Sequence, residues 1–400
     1  MERIDAAGGA RERLWNANYL KVWCANFMIF FSFMLLTPLL PLYLNDAFGA
    51  DKQTIGLVLS GYTLTALVIR PFSGYLVDTF PRRTVLLTSY ALFALCFAGY
   101  LAAGSLLLFA VVRTLHGAPF GASTVSNSTV AIDVLPSSRR AEGIGYYGLS
   151  NNIATAIGPT VALVIYGACR SYDVLFWLAL AVATGGLCID ATLRLRPRPA
   201  VADKPPVSLD RFILVKGWSN SLCMICYACS YGVLSTYIAI YGKEELGITG
   251  GTGLFFMLLS IGLILSRLIG SRSLRRGRIV ENAAGGVAIS LLGYLLFAAL
   301  HNGWGYYGAA LVIGLGNGHM FPAFQTMFLN LAPNERRGTA NSTLLVSWDI
   351  GVGLGILAGG SVAEHLGYHA AFWGAWLVNL AGVLLFYLHT RRYFQRYRLR

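Results

Sequence analysis

The chain has 400 residues and a mass of 43.3 kDa, with 56% hydrophobic residues, 12% charged residues and a mean hydropathy of +0.59. Soluble domains carry about 25% charged residues, and disordered chains are more polar still. The composition therefore excludes both classes and describes a polytopic membrane protein. The net charge of +13 is not a nucleic-acid surface, because the basic residues sort into alternate loops.

A bilayer core takes roughly 20 apolar residues per helix. In chain order, the apolar runs predict helices over about 19–44, 54–78, 84–104, 106–134, 141–168 and 173–194. Residues 195–211 hold four prolines and six charges and read as a linker. Six more helices are predicted over about 212–242, 251–273, 279–301, 304–331, 338–365 and 369–390. The expected fold is an all-α membrane protein with twelve transmembrane helices in two pseudo-symmetric six-helix bundles. The bundles are expected over 1–194 and 212–400, the second ending in a basic tail. No short apolar segment with a small-residue cleavage site opens the chain, so the first helix is expected to stay. The seven cysteines lie mostly in apolar runs, so no disulfide framework is expected.

Basic residues fall on the N-terminus, the linker, the tail and every second connection, such as Arg82, Arg83, Arg139, Arg140, Arg336 and Arg337. The alternate connections hold only Lys52, Arg170 and Lys243. Cytoplasmic loops collect Lys and Arg. Both termini and the linker are thus expected in the cytoplasm, with the chain in the cell (inner) membrane and its basic loops against lipid headgroups.

The halves repeat. Leu135-Pro136-Ser137-Ser138-Arg139-Arg140 returns as Ala332-Pro333-Asn334-Glu335-Arg336-Arg337, an offset of 333 − 136 = 197. The same offset carries Arg70 to Arg267, Gly117 to Gly314 and Gly158 to Gly355. Parallel repeats about an axis along the membrane normal place a substrate site between the halves, near the midplane.

The second predicted span ends in Gly74-Tyr75-Leu76-Val77-Asp78-Thr79-Phe80-Pro81-Arg82-Arg83. Gly74 permits close helix approach, and Asp78 can pair with an arginine or cap a neighbouring helix. The segment resembles the loop signature of the major facilitator superfamily, Gly-x-x-x-Asp-(Arg/Lys)-x-Gly-Arg-(Arg/Lys). Gly74, Asp78, Arg82 and Arg83 match, while Thr79 and Pro81 depart from it. A second copy starts at Gly270 and has Leu274 in place of the aspartate. The resemblance covers essentially the whole chain. It implies secondary transport by alternating access, with Asp78 latching the halves on the cytoplasmic side.

Polar residues inside the spans supply the candidate site. In the fourth span Arg113, His116, Phe120, Ser123 and Asn127 share one stripe, and an intramembrane arginine usually faces a cavity or a partner. Arg113-x-x-x-Gly117 resembles an element of proton-linked members of the superfamily. In the fifth, Gly145, Ala154, Gly158 and Pro159 resemble, in part, its antiporter signature; Gly158 and Pro159 would kink the helix as a hinge or seal. In the eleventh, Gly351, Gly355 and Gly359 form a close-packing stripe. Asp349 sits about 200° round from it, roughly 16 Å from the predicted helix start. That is near the middle of a ~30 Å core, where an aspartate costs about 2.5–3.5 kcal/mol. Its repeat partner is Asn152.

Asp349 and Arg113 are the expected proton-coupling residues, and Arg70 and Arg267 are expected nearer the basic ends, as gating residues. Asn152, Trp348, His116, Asn127, Asn317, Gln325, Tyr227 and Tyr231 are candidates for the substrate cavity, as His319 is by its place beside Asn317. Cys223, Cys226 and Cys229 have metal-like spacing but lie in an apolar helix, so packing is expected and no metal. Gly143-x-Gly145-x-x-Gly148 follows no strand and carries no dinucleotide. There is no nucleotide loop, so the energy is expected from a proton gradient, without a cofactor.

The expected function is proton-coupled efflux of a drug-like compound or metabolite by a monomer. The alternatives are uptake or facilitated transport of a sugar, organic acid or other nutrient and, from another class, a membrane-embedded enzyme or receptor. The last would need a nucleophile–base pair or a sizeable soluble domain, and the sequence offers neither.

Overall fold

The computed structural model describes residues 13–37, 39–50, 52–195, 211–248 and 252–399, with a few side chains of 52–56 and 267–275 left out. Most of the linker, residues 196–210, therefore lies outside the described residues. The helices are α1 (Ala17–Leu36), α2 (Leu40–Phe48), α3 (Lys52–Thr79), α4 (Arg82–Ala102), α5 (Leu106–Val134), α6 (Arg140–Cys169) and α7 (Tyr172–Ala191). The second half holds α8 (Trp218–Glu244), α9 (Thr252–Arg275), α10 (Ile279–Ala299), α11 (Gly303–Leu331), α12 (Arg337–Leu385) and α13 (Arg391–Tyr397). Among the described residues there is no strand.

The predicted spans map onto these helices with two departures. The first span divides into α1 and α2, because Pro41 has no amide hydrogen and fits only the opening turn of a helix. The eleventh and twelfth both lie in α12 and are broken between their predicted bounds at Gly367, whose φ of 86° and ψ of 164° suit glycine alone. The chain then passes through a wider π turn, Phe386–Thr390, into α13, so the last helical stretch outruns its predicted end. The Leu399 amide ties the tail to the Asn330 carbonyl at 2.8 Å.

Among the described residues, eight helices are long and apolar enough to cross a membrane by length and composition, and one of them, the run Asn334–Tyr397, is broken at Gly367. Of the remaining helices of twenty-four residues or more, α3, α9 and α11 fall short of that measure. Their sequences carry Arg70, Ser266 with Arg267, and Asn317 with Gln325. These polar groups lower the hydropathy of the three helices. Side chains such as Leu57, Leu107 and Leu357 are exposed around the outside, as a lipid-facing surface requires.

The duplication is visible in the packing. A Cβ on Gly117 would strike the Tyr62 carbonyl, and one on Gly314 would strike the Leu259 carbonyl. Gly121 abuts Ala66 and Ile69, while Gly318 abuts Leu263 and Ser266. Each member of the second set is 197 residues beyond its counterpart. The N-caps follow the same offset: Ser105 caps Leu108 on α5, and Asn302 caps Gly305 on α11. The halves meet along two seams, α3 with α12 and α6 with α9.

Candidate functional site: a polar seam between the halves

One face of the molecule gathers Arg82, Arg83, Arg139, Arg140, Arg336 and Arg337, and here the seam is closed by charge. Asp78, in the last turn of α3, reaches the first turn of α12. Its Oδ1 accepts the Gly338 amide at 2.8 Å. Its Oδ2 accepts the Thr339 amide at 2.7 Å and the Thr339 hydroxyl at 2.9 Å. A helix N-terminus presents unpaired N–H groups and the positive end of its dipole, so a carboxylate from another helix is well placed there. Gly74 makes room for this: a Cβ on it would meet Ser342 and the Gly338 carbonyl.

Arg82 opens α4 and contacts both Asp78 and Asp133, the latter at the end of α5. Asp133 also accepts from Arg337 of the other half at 2.9 Å. Charges of alternating sign thus run Asp78, Arg82, Asp133, Arg337. The sequence reading missed Asp133. Its only signal was an acid at the end of an apolar run beside the repeated Pro-x-x-Arg-Arg loop. Arg83 stands apart from this cluster and caps the C-terminal end of α7, donating to the Ala191 carbonyl at 2.6 Å.

Deeper in the seam, Gln325 donates to Asn341 at 2.7 Å, and Asn341 donates across the halves to Ser128 at 2.5 Å. Deeper still, Arg70 Nε lies 3.1 Å from Asp349 Oδ2. Arg70 was expected nearer the basic end. It is 8% exposed and bridges the halves to Asp349. The reason is helical phase: Gly351 and Gly355 seat on Ile225 and Cys229 of α8, which turns Asp349 the other way, onto α3. The side chain of Arg267, the repeat partner of Arg70, lies outside the described residues.

The other candidates separate into distinct environments. Arg113 is buried in the first half, 4.2 Å from the Tyr62 ring centroid and 5.4 Å from that of Phe33, in cation–π range of both. It donates to the Tyr100 hydroxyl at 3.2 Å, which lies 2.7 Å from His116 Nδ1. Arg113 and His116 therefore belong to an aromatic nest of α1, α3, α4 and α5, separate from the Asp349 pair. Asn127 faces α6 and α7 and bonds Tyr147 and Asp190. Asn317 accepts from Ser290 of α10 at 3.2 Å, and His319 bonds the Leu315 carbonyl of its own helix. Trp348 packs against Tyr231 and Phe321, and Tyr227 is buried against Phe324. Asn152 on α6 is partly buried. Gly158 packs on Met34 of α1 with Pro159 beside it. Cys223 sits 3.3 Å from Thr390, and Cys226 and Cys229 fill space beside Gly382 and Gly355.

The signature around Asp78, the duplication and the twelve spans converge on one family, and its model, the Major Facilitator Superfamily, matches residues 22–355 and again 283–398. The chain belongs to the major facilitator superfamily. It is a multi-pass membrane transporter and not an enzyme. The staphylopine export protein of Staphylococcus aureus is 24% identical over 387 residues, covering 92% of this chain and 93% of that one. The quinolone resistance protein NorA of the same species is 22% identical over 373 residues, covering 90% and 93%. The crystal structure of the human organic anion transporter MFSD10 (TETRAN) superimposes with a TM-score of 0.78 at 17% identity, over 92% of this chain and 99% of that one. FucP in the outward conformation gives 0.77 at 16%, over 94% and 99%.

Proposed function

We propose that this superfamily member exports a small organic molecule in exchange for protons, by alternating access, with Asp349 as the coupling carboxylate. On this reading residues 1–194 and 212–400 are the two moving bundles, joined by 195–211. The basic face and both termini lie in the cytoplasm, in the cell (inner) membrane, and the working unit is the monomer. The observation that supports it best is the Arg70–Asp349 pair, which joins the halves beneath the polar seam.

An ion pair in that setting is a proton-sensitive bond. Removing one partner of a buried pair leaves the other charge uncompensated, at a cost of about 3–5 kcal/mol. Protonating Asp349 does the same to Arg70, whose guanidinium must then find water or another anion. Opening the basic face supplies the water. A proton arriving from outside therefore favours the inward-open state, where losing it to the cytoplasm restores the charge on Asp349 and allows the pair to re-form. A ligand shifts such an equilibrium only by its differential affinity for the two states, and the proton has that differential here. Export, rather than uptake, rests on the partial antiporter signature around Gly158 and Pro159. The relatives named for staphylopine export and quinolone resistance point the same way.

The test is substrate-induced proton movement in reconstituted vesicles, with a quinolone and staphylopine as probes and wild type beside Asp349→Asn. The substitution is nearly isosteric and cannot titrate. Wild type should extrude a probe while protons move in the opposite direction. Asp349→Asn should reach the membrane, keep exchange of the probe down its own gradient, and lose proton movement. Normal proton stoichiometry in the mutant would exclude Asp349, and probe and proton moving together would replace export by uptake.

A further inference from the structure

A second buried carboxylate lies in the first half, away from the seam pair. Asp190, in the last turn of α7, is 0% exposed. Its Oδ2 accepts from the Asn127 amide at 2.9 Å, and its Oδ1 has no partner. The Tyr147 hydroxyl stands 2.7 Å from Asn127 Oδ1 and 2.7 Å from Asn26 Oδ1, and the Asn26 amide donates to Ser150 at 2.6 Å. A polar chain therefore crosses four helices, from Ser150 and Asn26 through Tyr147 and Asn127 to Asp190.

The charged and titratable groups around it leave the carboxyl without a counter-charge. From α1, Lys21 bonds the Thr192 carbonyl; from α4, Arg83 bonds the Ala191 carbonyl. Both cations are spent on the C-terminus of α7. Tyr90 of α4 donates to the Ala25 carbonyl, and Tyr19 of α1 to the Gly143 carbonyl. Tyr147 of α6 turns to the two asparagines, and α5 presents Asn127. An ionised carboxylate in this place would be buried with one amide donor, at the negative end of its own helix dipole. A neutral carboxylic acid suits both conditions.

The fold does not require the chain. At the repeat offset, Asn26, Asn127 and Tyr147 correspond to Cys223, Phe324 and Leu344, all fully buried. The second half builds the same bundle with apolar residues in those places. Tyr147 also belongs to an apolar plug shared by both halves, which includes Val130 and Ile144 from one and Phe324, Phe328 and Leu344 from the other. The plug closes the basic end of the seam, so parting the halves there would uncover Tyr147 and, behind it, the path to Asp190.

We infer that Asp190 is a proton-binding site of the first half: it holds a proton as a carboxylic acid while the basic face is closed and gives it to water, becoming a carboxylate, when that face opens. The inference is independent of whether Asp349 couples transport. Full-length protein in phospholipid vesicles is examined by infrared spectroscopy for the carbonyl absorption of a protonated carboxylic acid. At neutral pH such a band should be present in wild type and in Asp349→Asn, and lost in Asp190→Asn. A band unchanged in Asp190→Asn overturns the assignment. In Asp78→Asn, where the latch on the basic face is weakened, the band should disappear at lower pH than in wild type. The same titration in both would overturn release on opening and leave Asp190 a static acid. Should Asp190→Asn fail to accumulate, Asp190→Glu serves instead: the band must change frequency, and an unchanged frequency overturns the assignment.

Discussion

Asp78 concentrates on one side chain the task of holding two bundles together at their basic ends. It receives two backbone amides and a hydroxyl from α12 and lies against Arg82. Hydrogen bonds to a charged group contribute about 1.5–3 kcal/mol each, and Asp78→Asn removes the charge while keeping one acceptor. The population with the basic face open should rise roughly tenfold, a shift of about 1.4 kcal/mol. Labelling rates of a cysteine introduced at Thr124, buried on α5, report this in a chain without its native cysteines; an unchanged rate would remove the latch. The loop signature made Asp78 legible in the sequence as an acid able to pair with an arginine or cap a neighbouring helix. Which helix it caps was not legible, because that depends on how the halves meet. Asp133 and Asp190 escaped notice for a related reason. Each sits in or beside the last turn of a predicted span, where a carboxylate reads as an interfacial group facing water. Burial by neighbouring helices decides otherwise, and burial is a property of the assembly. The pairing of Arg70 with Asp349 was not legible either, because spacing along one helix does not say which side chain of another stands opposite.

The helices are kept at their separations by glycines, and these divide into two kinds that sequence spacing alone does not distinguish. On α11, Gly314 faces the Leu259 carbonyl of α9 with no room for a Cβ, while Gly308 has nothing near it. Gly314→Ala must push α9 and α11 apart, and overpacking of this kind costs about 3 kcal/mol. Gly308→Ala relieves backbone entropy and should be neutral or stabilising by up to about 1 kcal/mol. Thermal unfolding of the two variants in detergent separates them, and equal melting temperatures would show that the α9–α11 approach is loose. The same opposition holds for Gly117 in the first half, where the Tyr62 carbonyl takes the place of Leu259. The existence and order of the elements were legible, since apolar length decides them. The break at Pro41 was not, because it lies inside a run that stays largely apolar, whereas the turn at Gly367 falls between two predicted spans, where Glu364, His365 and His369 interrupt the apolar pattern.

For the molecule as a whole, the sorting of arginines into alternate loops predicts that impermeant reagents in intact cells will not reach a cysteine placed in the linker, at Val201 for instance. Labelling there from outside would invert the assigned orientation. The end of that linker has a further property. Phe212 belongs by sequence to the second bundle, yet its ring packs on Phe72 and Tyr75 of α3, and the Arg211 guanidinium lies 5.1 Å from the Tyr75 ring centroid. The Thr339 hydroxyl, whose single hydrogen serves either Asp78 or this segment, also lies 2.9 Å from the Arg211 carbonyl. The second bundle thus carries its own plug for a socket on the first, apart from covalent continuity. A gene cut in two should still yield a working transporter if the break falls between 200 and 205, because the downstream fragment keeps Arg211 and Phe212 and can find its partner unaided. Moving the break to follow Phe212 leaves the plug on the wrong fragment. Co-purification of the two pieces should then fall sharply, although only a few more residues have changed sides.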